Sequence, residues 1–509
     1  MTDQPYFALK KRVHIFVILL LSGLFSGCDN SKEPAPESEL DIELRAVIEE
    51  KALTGDPAEG RDLPSIDTPL AQLGMKLFFS KALGGDMDAA CVTCHHPMLG
   101  GGDDLSLPVG VDADVIDLLG PGRTHSSGGE HFDGGPTVPR NAPSTFNLAL
   151  WDRVLFHDGR VESLGKTAGV NGNDGAGIRT PDVAVGMADP EAGDNLAVAQ
   201  ARFPVTSPEE MKNFGFFNGA SNAEVREHLE QRLGGYGTPP GGALAHNDWL
   251  SEFQLAFSDP DGTAETLITF ENISLAIAEY ERSQVFVDTP WKAYVQGDND
   301  AIDDAAKRGA LIFFKSIAEG GADCAACHSG DFFTDEGFHV IGMPQIGRGK
   351  GDGDSGDDDF GRFRETGIEA DRYSFRTPTL LNTTATGPWG HAGAYTRLEN
   401  AVRHHLNPQW ALDNFDWSQL DPNLQASNML ENTQLAIDKL EANRALGIPS
   451  LQNVVLSDAQ VNDLMAFLET LTDPCVENRA CLSPWIPDAS DSNPDAMRLN
   501  ARDENGRFL

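Results

Sequence analysis

The sequence has little positive charge, few strand signals and no apolar run long enough to cross a membrane comfortably. Lys and Arg number 38 against 78 Asp and Glu residues, so the formal net charge is −40 at pH 7 and the pI is near 4.5. Such an acidic surface repels nucleic acid and anionic lipid, and we expect no nucleic-acid partner. With 509 residues, 40% of them hydrophobic, the chain still has enough apolar side chains for two or three cores.

The apolar run near the N-terminus, residues 13–25, follows three basic residues, an order typical of a secretory signal peptide. It is too short for a comfortable membrane span. The string Leu-Phe-Ser-Gly-Cys that ends at Cys28 resembles the bacterial lipobox, in which the cysteine becomes the lipidated N-terminus. We therefore predict a lipoprotein signal peptide at residues 1–27. An ordinary signal peptide with an incidental cysteine, or an uncleaved anchor helix, is the alternative.

Each of these alternatives places the body of the protein outside the cytoplasm, where disulfides persist. We expect a periplasmic protein that is held to a membrane only through its N-terminal lipid. Residues 28–45 follow the predicted cleavage site and begin with a stretch rich in Pro, Glu and Ser. This composition indicates a tether between the membrane and the folded body.

Two short strings carry the strongest chemical signal, because both have the spacing Cys-x-x-Cys-His. The residues are Cys91, Cys94 and His95 in the first string and Cys324, Cys327 and His328 in the second. This spacing is typical of covalent haem c attachment, in which the two cysteines add to the porphyrin vinyl groups and the histidine binds iron. A zinc site would need further soft ligands, and a redox pair or a disulfide would leave the histidine unexplained. We therefore predict two haem c groups.

The seven cysteines are then all assigned, and none is left as a catalytic nucleophile. Cys28 is the lipid anchor, four cysteines hold haem, and Cys475 and Cys481 remain. We expect these last two to form a small-loop disulfide in an oxidising compartment, with free thiols as the alternative.

The periodic segments predict a mainly α-helical fold. Apolar residues recur at helical spacing over residues 39–52, 223–233, 271–284, 301–315, 398–406 and 458–471. Between the helices lie long irregular loops rich in Gly, Asp and Pro, such as residues 100–140, 166–195 and 347–362. The acidic run at residues 352–359 lacks the closing glutamate of a calcium loop, and we interpret it as a solvated loop.

The chain also repeats itself. Asn147 and His157 follow the first haem string at nearly the same spacings as Asn382 and His391 follow the second. The two halves are therefore predicted to be diverged copies of one cytochrome c-like haem domain, related by internal duplication. The predicted parts are residues 46–288 for the N-terminal domain, 289–472 for the C-terminal domain and 473–509 for a tail with the disulfide.

The order of motifs resembles the bacterial di-haem cytochrome c peroxidase and MauG family. The motifs are the two haem strings, Arg-Asn-Ala-Pro from Arg140, Asp-Gly-Arg from Asp158, residues 204–211, Phe-Arg-Thr-Pro-Thr-Leu-x-Asn from Phe375 and Gly-Pro-x-x-His-x-Gly from Gly387. They cover roughly residues 70 to 470 in order. The resemblance implies a peroxide-reacting haem in the N-terminal domain and an electron-transfer haem in the C-terminal domain.

The family pattern implies different ligands for the two irons. For the C-terminal haem, the position of the family's sixth ligand is His405, which is methionine in classical peroxidases and tyrosine in MauG. Leu398, Val402 and His405 share one helix face. We predict a bis-histidine, low-spin haem, with His404 and Met343 as reserve candidates and a purely structural histidine as the alternative.

For the N-terminal haem, classical peroxidases carry a displaceable distal histidine at the position that is Val111 here. The departure predicts an open iron, although His125 and His131 lie in an extra loop from which a ligand could come. The family pattern assigns the distal acid/base role to Glu210, with Gln200 as its hydrogen-bonding partner. Glu209 is the neighbour if the register slips, and a capping box that starts at Ser207 is the structural alternative. 

Two further positions are implied by the same resemblance. The family's inter-haem tryptophan is replaced by His157, which is far harder to oxidise, so Trp151 and Trp389 are the aromatic candidates for electron passage. The family's calcium ligands correspond to Asn141, Thr386 and Pro388, which would otherwise be turn residues.

The sequence therefore predicts an oxidoreductase that reduces hydrogen peroxide with electrons from a small cytochrome c or cupredoxin. MauG-like, peroxide-dependent oxidation of a protein substrate is the first alternative, favoured by Val111 and by the non-methionine ligand His405. A non-enzymatic di-haem electron carrier is the second. A homodimer is compatible with the sequence.

Overall fold

A computed structural model describes residues 38–129, 131–237 and 243–509. The predicted signal peptide, the lipid site Cys28 and the first part of the tether lie outside the described residues. Among the residues described, no helix is both long and apolar enough to span a bilayer. The helix predicted from residue 39 is present as Glu39–Glu50, so it begins inside the stretch predicted as a tether, and its Leu44 is fully buried.

The structure is mainly helical, as predicted. The helices are α1 (Glu39–Glu50), α2 (Pro69–Phe79), α3 (Leu196–Ala201), α4 (Asn222–Gly234), α5 (Trp249–Ala256), α6 (Ala264–Leu267), α7 (Phe270–Arg282), α8 (Pro290–Val295), α9 (Asp304–Phe314), α10 (Phe363–Thr366), α11 (Leu398–Leu406), α12 (Pro408–Asp413), α13 (Met429–Ala445), α14 (Asp458–Glu469) and α15 (Arg479–Leu482). Side-chain caps fix several starts: Thr269, Asp303 and Ser457 accept N–H bonds at the first turns of α7, α9 and α14.

The strands are short. Strands β1 (Val154–Leu155), β2 (Val161–Ser163) and β3 (Ile178–Arg179) form an antiparallel sheet in the order β1-β2-β3. Strands β4 (Phe338–Val340) and β5 (Ser374–Arg376) form an antiparallel pair, with His339 opposite Phe375. The pairing therefore joins the segment that follows the second haem string to the motif that begins at Phe375.

Two helix crossings lie beside the two haem strings. Helix α2 packs against α7, and helix α9 packs against α14. In each crossing a glycine allows the backbones to touch, because a Cβ on Gly74 would lie 1.9 Å from the Ala276 carbonyl oxygen and a Cβ on Gly309 would lie 1.9 Å from that of Asp463. In each crossing, the helix that precedes a haem string in the sequence packs against a helix that follows that string.

Gly309→Ala is expected to lower the free energy of unfolding by about 1–3 kcal/mol, because the new methyl group forces α9 and α14 apart. The thermal unfolding midpoint of the holoprotein measures the effect. Gly128→Ala is the matched control, since its nearest side-chain atom, Ser126 Oγ, would lie 3.9 Å from the new Cβ. Equal midpoints for the two variants would contradict the tight crossing.

Two asparagines meet at Phe286, between the halves of the chain. Asn147 accepts the Phe286 N–H at 2.8 Å and donates to its carbonyl at 3.1 Å. Asn382 donates to the same carbonyl at 3.0 Å and accepts the Asp473 N–H at 2.9 Å. Both asparagines have a left-handed backbone, with φ of 61° and 62°. Equivalent residues of the two similar motifs are therefore held at one shared point of the backbone.

Two large apolar clusters form the core around these crossings. One contains Val92 of the first haem string together with α2 and α7, and the other packs around Phe313, Phe333 and Phe467. The predicted disulfide between Cys475 and Cys481 is present, with a Cα–Cα distance of 5.3 Å. The segment that carries it packs on the first cluster through Val476 and Leu482.

Candidate haem sites

The first haem string forms a short 3₁₀ turn, Cys91–Thr93, directly after α2 and its following turn. Thr93 Oγ1 accepts the Ala90 N–H at 3.0 Å, which fixes the turn. Cys91 and Cys94 are free thiols, and burial raises the pKa of both. His95 Nδ1 lies 3.1 Å from the Gly101 carbonyl oxygen, so its Nε2 is left for another partner.

The second haem string repeats this arrangement. Cys324–Ala326 forms a 3₁₀ turn after α9, and Cys324 and Cys327 are free thiols. His328 Nδ1 lies 3.1 Å from the Phe333 carbonyl oxygen. Burial lowers the pKa of His328 to about 4, with a smaller contribution from His405, so the ring is neutral and its Nε2 is a base.

His405 lies opposite His328. The two ring centroids are 6.4 Å apart. Two imidazoles that bind one metal ion from opposite sides, each at about 2 Å from it, have their centres at roughly this separation. His405 Nδ1 lies 2.8 Å from the Ala401 carbonyl oxygen, which leaves Nε2 as its free ring nitrogen.

The reserve candidates point elsewhere. His404 is fully buried, and both of its nitrogens are engaged: Nε2 donates to the Ile341 carbonyl at 2.9 Å, and Nδ1 accepts from the Tyr395 hydroxyl at 3.0 Å. Met343 lies in another apolar cluster, against Gly390. Of the three candidates, only His405 has a ring contact with His328.

The chemistry of the donor sets fits covalent haem at both strings. Each string presents two unpaired thiols and a neutral imidazole whose Nδ1 is tied to a backbone carbonyl, the usual arrangement that orients a metal-binding histidine. Another group, Cys327, Asp335 and His339, is the one cluster of metal-binding side chains found in the described part of the chain. It contains a haem-string cysteine, so we assign it to the surroundings of the second site.

Glu210, the predicted distal residue, lies in the π-helical turn Pro208–Lys212, and its charge acts on Cys91 and Cys94 of the first haem string. Burial raises the pKa of its carboxyl, while Arg160 and Lys350 act in the opposite direction. Ser207 accepts the Glu210 N–H at 3.3 Å, yet the Ser207 N–H donates to the Pro204 carbonyl. In a capping box the Ser207 N–H would donate to the Glu210 carboxyl, but here it donates to a backbone carbonyl. The Glu210 carboxyl is therefore left for other contacts.

The position of the classical distal histidine is apolar and covered. Val111 is fully buried, and its N–H donates to the Glu209 carbonyl at 3.4 Å. Val111 packs in the same cluster as Val92 of the haem string and Met211, the residue after Glu210. Gln200 lies in α3, half-buried, in the segment that leads to the turn of Glu210.

The two histidines of the extra loop contact aromatic rings. His125 is buried against Phe132, with ring centroids 5.4 Å apart, and its pKa is lowered by burial. His131 packs against Phe214, with ring centroids 4.3 Å apart and the ring planes tilted by 40°. The charged groups that act on His125 are aspartates and Arg348, and neither the Cys91–Cys94 pair nor Glu210 is among them.

Between the haem strings, His157 is held against the first-half motif. Its Nε2 lies 3.0 Å from the Asn141 carbonyl oxygen, and burial, followed by Arg140 and Arg376, lowers its pKa to about 3. The Arg376 guanidinium lies 3.5 Å from the centre of the Trp151 ring. Trp151 is buried and also meets Phe332, shortly after His328 in the sequence, with ring centroids 5.2 Å apart.

The predicted calcium residues are partly brought together. Asn141 Nδ2 lies 2.6 Å from the Pro388 carbonyl oxygen. Thr386 lies in the same turn as Pro388, against Gly100. Trp389, the next residue, donates through Nε1 to the Thr383 carbonyl at 3.0 Å.

The sequence did not reveal a cluster of buried charged side chains that joins the first half of the chain to the second. Arg140 bonds Asp158 at 2.5 Å and, through two nitrogens, Asp359 at 2.6 and 2.8 Å. The interpretation of residues 352–359 as a solvated loop was therefore wrong at its end, because Asp358 and Asp359 are buried. The pairing depends on a contact across more than 200 residues, which no local pattern reveals.

Asp359→Asn is expected to lower the free energy of unfolding by about 3–5 kcal/mol, because it leaves a buried guanidinium with one carboxylate. Burial raises the pKa of Asp359, but Arg140 overrides it and the net pKa is lowered. The stabilisation is therefore present above the unfolded pKa near 3.9 and is lost as the pH falls through the folded value. Chemical denaturation at pH 7 and at a series of pH values below the unfolded pKa of about 3.9 tests this, and exposed Asp354→Asn is the control. Equal stability of the two variants would contradict the pairing.

Two buried carboxyls near the first string were also missed. Burial raises the pKa of Glu281, at the end of α7, to about 8, and this carboxyl acts on Cys91. Burial likewise raises the pKa of Asp103 to about 8, and this carboxyl acts on Cys94. Glu281 falls on the apolar face of the helix predicted over residues 271–284, and this position could have indicated that its carboxyl is buried.

Taken with the mainly helical fold, the two strings define the class of di-haem c-type oxidoreductases. The sequence model of the family described as di-haem cytochrome c peroxidase matches residues 68–300. The methylamine utilization protein MauG of Methylorubrum extorquens is 29% identical over 337 residues, which cover 66% of this chain and 67% of that protein. The cytochrome c551 peroxidase of Pseudomonas aeruginosa is 27% identical over 341 residues, which cover 66% of this chain and 72% of the relative. Over about two thirds of its length, the chain is therefore similar to the di-haem cytochrome c peroxidases and MauG proteins.

Solved structures share the fold. A MauG-like protein associated with microbial copper homeostasis aligns with a TM-score of 0.52 and 20% identity, over 85% of this chain and 98% of that one. The di-haem peroxidase BthA of Burkholderia thailandensis aligns with a TM-score of 0.50 and 21% identity, over 86% and 92%. The predicted family is thereby confirmed by sequence, and the mainly helical fold by structure.

Proposed function

We propose that this peroxidase reduces hydrogen peroxide to water at the N-terminal haem and receives the electrons through the C-terminal haem from a small periplasmic cytochrome c or cupredoxin. The observation that carries the proposal is the difference between the two sites. His405 lies opposite His328 at 6.4 Å. At the first site the family's ligand position is Val111, and the half-buried Glu210 is close by, since its charge acts on Cys91 and Cys94.

When bound, each haem supplies an iron that exchanges single electrons, and an iron with an open axial position also reacts with peroxide. Cys91, Cys94 and His95 would hold the first haem. Cys324, Cys327, His328 and His405 would hold the second. Because His405 would hold this haem together with His328, the second site would leave no place for peroxide, and its haem would supply electron transfer alone.

Glu210 moves the protons. Its carboxylate accepts a proton from one peroxide oxygen and returns it to the other, which leaves as water, while the bound haem would supply the electrons that break the O–O bond. Gln200 donates a hydrogen bond that orients the peroxide. Burial raises the pKa of Glu210, while the positive charges of Arg160 and Lys350 act in the opposite direction. A cavity of about 590 Å³ lined by Glu209, Lys350 and their neighbours offers a route from solvent to this region.

The domain organisation is part of the proposal. We assign residues 46–288 and 289–472 to two copies of one haem domain, related by internal duplication. The two glycine crossings, Gly74 with α7 and Gly309 with α14, support this assignment, and so do the matching bonds of Asn147 and Asn382 at Phe286.

We also propose a membrane anchor and a calcium site, both from the sequence. A lipid on Cys28 would hold the protein to a membrane on its periplasmic side, and calcium would bind Asn141, Thr386 and Pro388. The Asn141 side-chain amide donates through Nδ2 to the Pro388 carbonyl oxygen, so the two residues are neighbours, and each also carries a carbonyl oxygen of the kind that binds Ca²⁺.

A second candidate function is MauG-like oxidation of a protein substrate with peroxide as the oxidant. The specific observations that favour it are the buried valine at position 111 and the histidine at position 405 in place of methionine. A plain electron carrier is the third candidate, and it requires both irons to be six-coordinate.

Two measurements on the ferric holoenzyme separate the three candidate functions. Absorption and electron paramagnetic resonance (EPR) spectra are recorded first, and peroxide is then added with and without reduced cytochrome. Peroxidase function predicts one high-spin and one low-spin haem and catalytic oxidation of the cytochrome. A long-lived oxidised state without cytochrome turnover supports the protein-oxidising role. Two low-spin haems that do not react with peroxide overturn the proposal and indicate a carrier.

A further inference from the structure

We propose that Trp417 is a second point at which this enzyme takes up electrons, from large electron-rich aromatic reductants in solution. The inference rests on the proposed function, since peroxide is the oxidant that drives it. Trp417 is 46% exposed and begins the short 3₁₀ turn Trp417–Gln419 that follows α12. It begins a chain of ring contacts that ends at the proposed haem ligand His405.

The rings pack in sequence from the surface to the site. Trp417 meets Phe415 edge-on, with centroids 5.4 Å apart, and Phe415 meets Tyr395 at 5.6 Å. Tyr395 meets His404 at 5.6 Å, and His404 meets His405 at 6.0 Å. All four separations lie in the range of directly packed rings. Tunnelling through packed atoms is faster than through a gap, so this chain is the favourable path for an electron.

Two members of the chain can themselves be oxidised. Tyrosine and tryptophan lose an electron far more readily than phenylalanine or histidine. Tyr395 and Trp417 are therefore the residues that become oxidised in turn, and Phe415 lies between them and is not oxidised. Tyr395 is 2% exposed, and its hydroxyl donates to His404 Nδ1 at 3.0 Å. A buried tyrosine needs an acceptor for its proton when it loses an electron, and His404 provides one within the hydrogen bond.

The electrons and protons balance as follows. Tyr395 gives one electron to the oxidised C-terminal haem while its hydroxyl proton moves to His404 Nδ1. Trp417 then gives one electron to Tyr395, which recovers its proton from His404. The reductant gives one electron to Trp417 and leaves as its one-electron oxidised product. Two such transfers, with two protons from water, reduce one hydrogen peroxide to two waters.

The chain supplies a matched control. Trp410 lies in α12, close to Trp417 in sequence, and is 48% exposed. Within the described residues, no ring packs against Trp410 in the way that Phe415 packs against Trp417. The two tryptophans therefore have the same access to solvent oxidants and differ in their connection to the haem site.

The test treats the ferric holoenzyme with hydrogen peroxide in the absence of any reductant and measures oxidation of each tryptophan by peptide mass spectrometry. Trp417 is expected to be oxidised several-fold more than Trp410. In Tyr395→Phe, oxidation of Trp417 should fall to the level of Trp410, while EPR shows the low-spin haem retained. Equal oxidation of the two tryptophans, or unchanged oxidation of Trp417 in Tyr395→Phe, would overturn the inference.

A kinetic arm uses o-dianisidine as the aromatic reductant. Because Trp417 is exposed, Trp417→Phe should fold normally, and its kcat/KM for o-dianisidine should fall several-fold while that of Trp410→Phe is unchanged. Equal values for the two variants would count against the entry point. Failure of the proposed function gives a different result, since the haem spectra would then not respond to peroxide at all, and both proposals would fall together.

Discussion

Replacing Glu210 with glutamine is expected to lower kcat/KM for hydrogen peroxide by about 10²- to 10⁴-fold, the usual contribution of a positioned acid/base group. Glutamine has nearly the same shape, so the spectra of both haems should not change. Stopped-flow absorption after peroxide mixing measures the rate of the first step directly. Glu209→Gln is the matched control, because Glu209 bonds Ser207 at the same turn and lines the neighbouring cavity.

The pH dependence gives the same assignment a second test. Burial raises the pKa of Glu210, so the carboxylate is the minor form below that raised value and the rate of peroxide reaction should fall there. The acid limb is therefore expected above the ordinary glutamate pKa of about 4.3. Glu210→Gln should lose this limb. A limb that persists in Glu210→Gln would assign the proton transfer to another group.

Lys350 allows the position of the limb to be shifted without touching Glu210. Its positive charge lowers the pKa of Glu210, so Lys350→Met should raise that pKa and move the acid limb to higher pH. The high-pH rate should change little, because Glu210 is ionised there in both proteins. An unmoved limb would show that the two groups are not coupled.

His405→Ala is expected to abolish the low-spin signal of the C-terminal haem, because the variant leaves its iron with His328 alone. EPR of the ferric holoenzyme measures this loss, and the N-terminal signal serves as the internal standard. His405→Met is the informative partner variant: a methionine ligand should restore a six-coordinate, low-spin haem with a higher reduction potential. Retention of the original signal in His405→Ala would remove His405 from the coordination sphere.

The same variants distinguish His405 from its neighbour. His404 has both ring nitrogens in hydrogen bonds, to Ile341 and Tyr395, so His404→Gln should leave the low-spin signal in place. Loss of that signal in His404→Gln, with its retention in His405→Ala, would reverse the assignment.

Much of the fold could be read from local patterns. The helices predicted over residues 271–284 and 458–471 occur as Phe270–Arg282 and Asp458–Glu469, and residues 398–406 form a helix with those same ends. Their periodicity is set by the apolar face that each helix buries, and this face is visible in the sequence. The errors at the ends reflect capping side chains, such as Thr269, whose bonds are made only in the folded chain.

The sequence by itself determined the two haem-binding strings, the disulfide partners and the helical class, because each depends on residues close together in the chain. Only the tertiary structure decided that Asp359 is buried against Arg140, that the ring of His405, predicted from the family pattern, packs near that of His328, and that Trp417 connects through Phe415 to Tyr395. The physical reason is distance along the chain: ion pairs and ring contacts of this kind join segments whose approach depends on the packing of the whole core, and no local pattern encodes it.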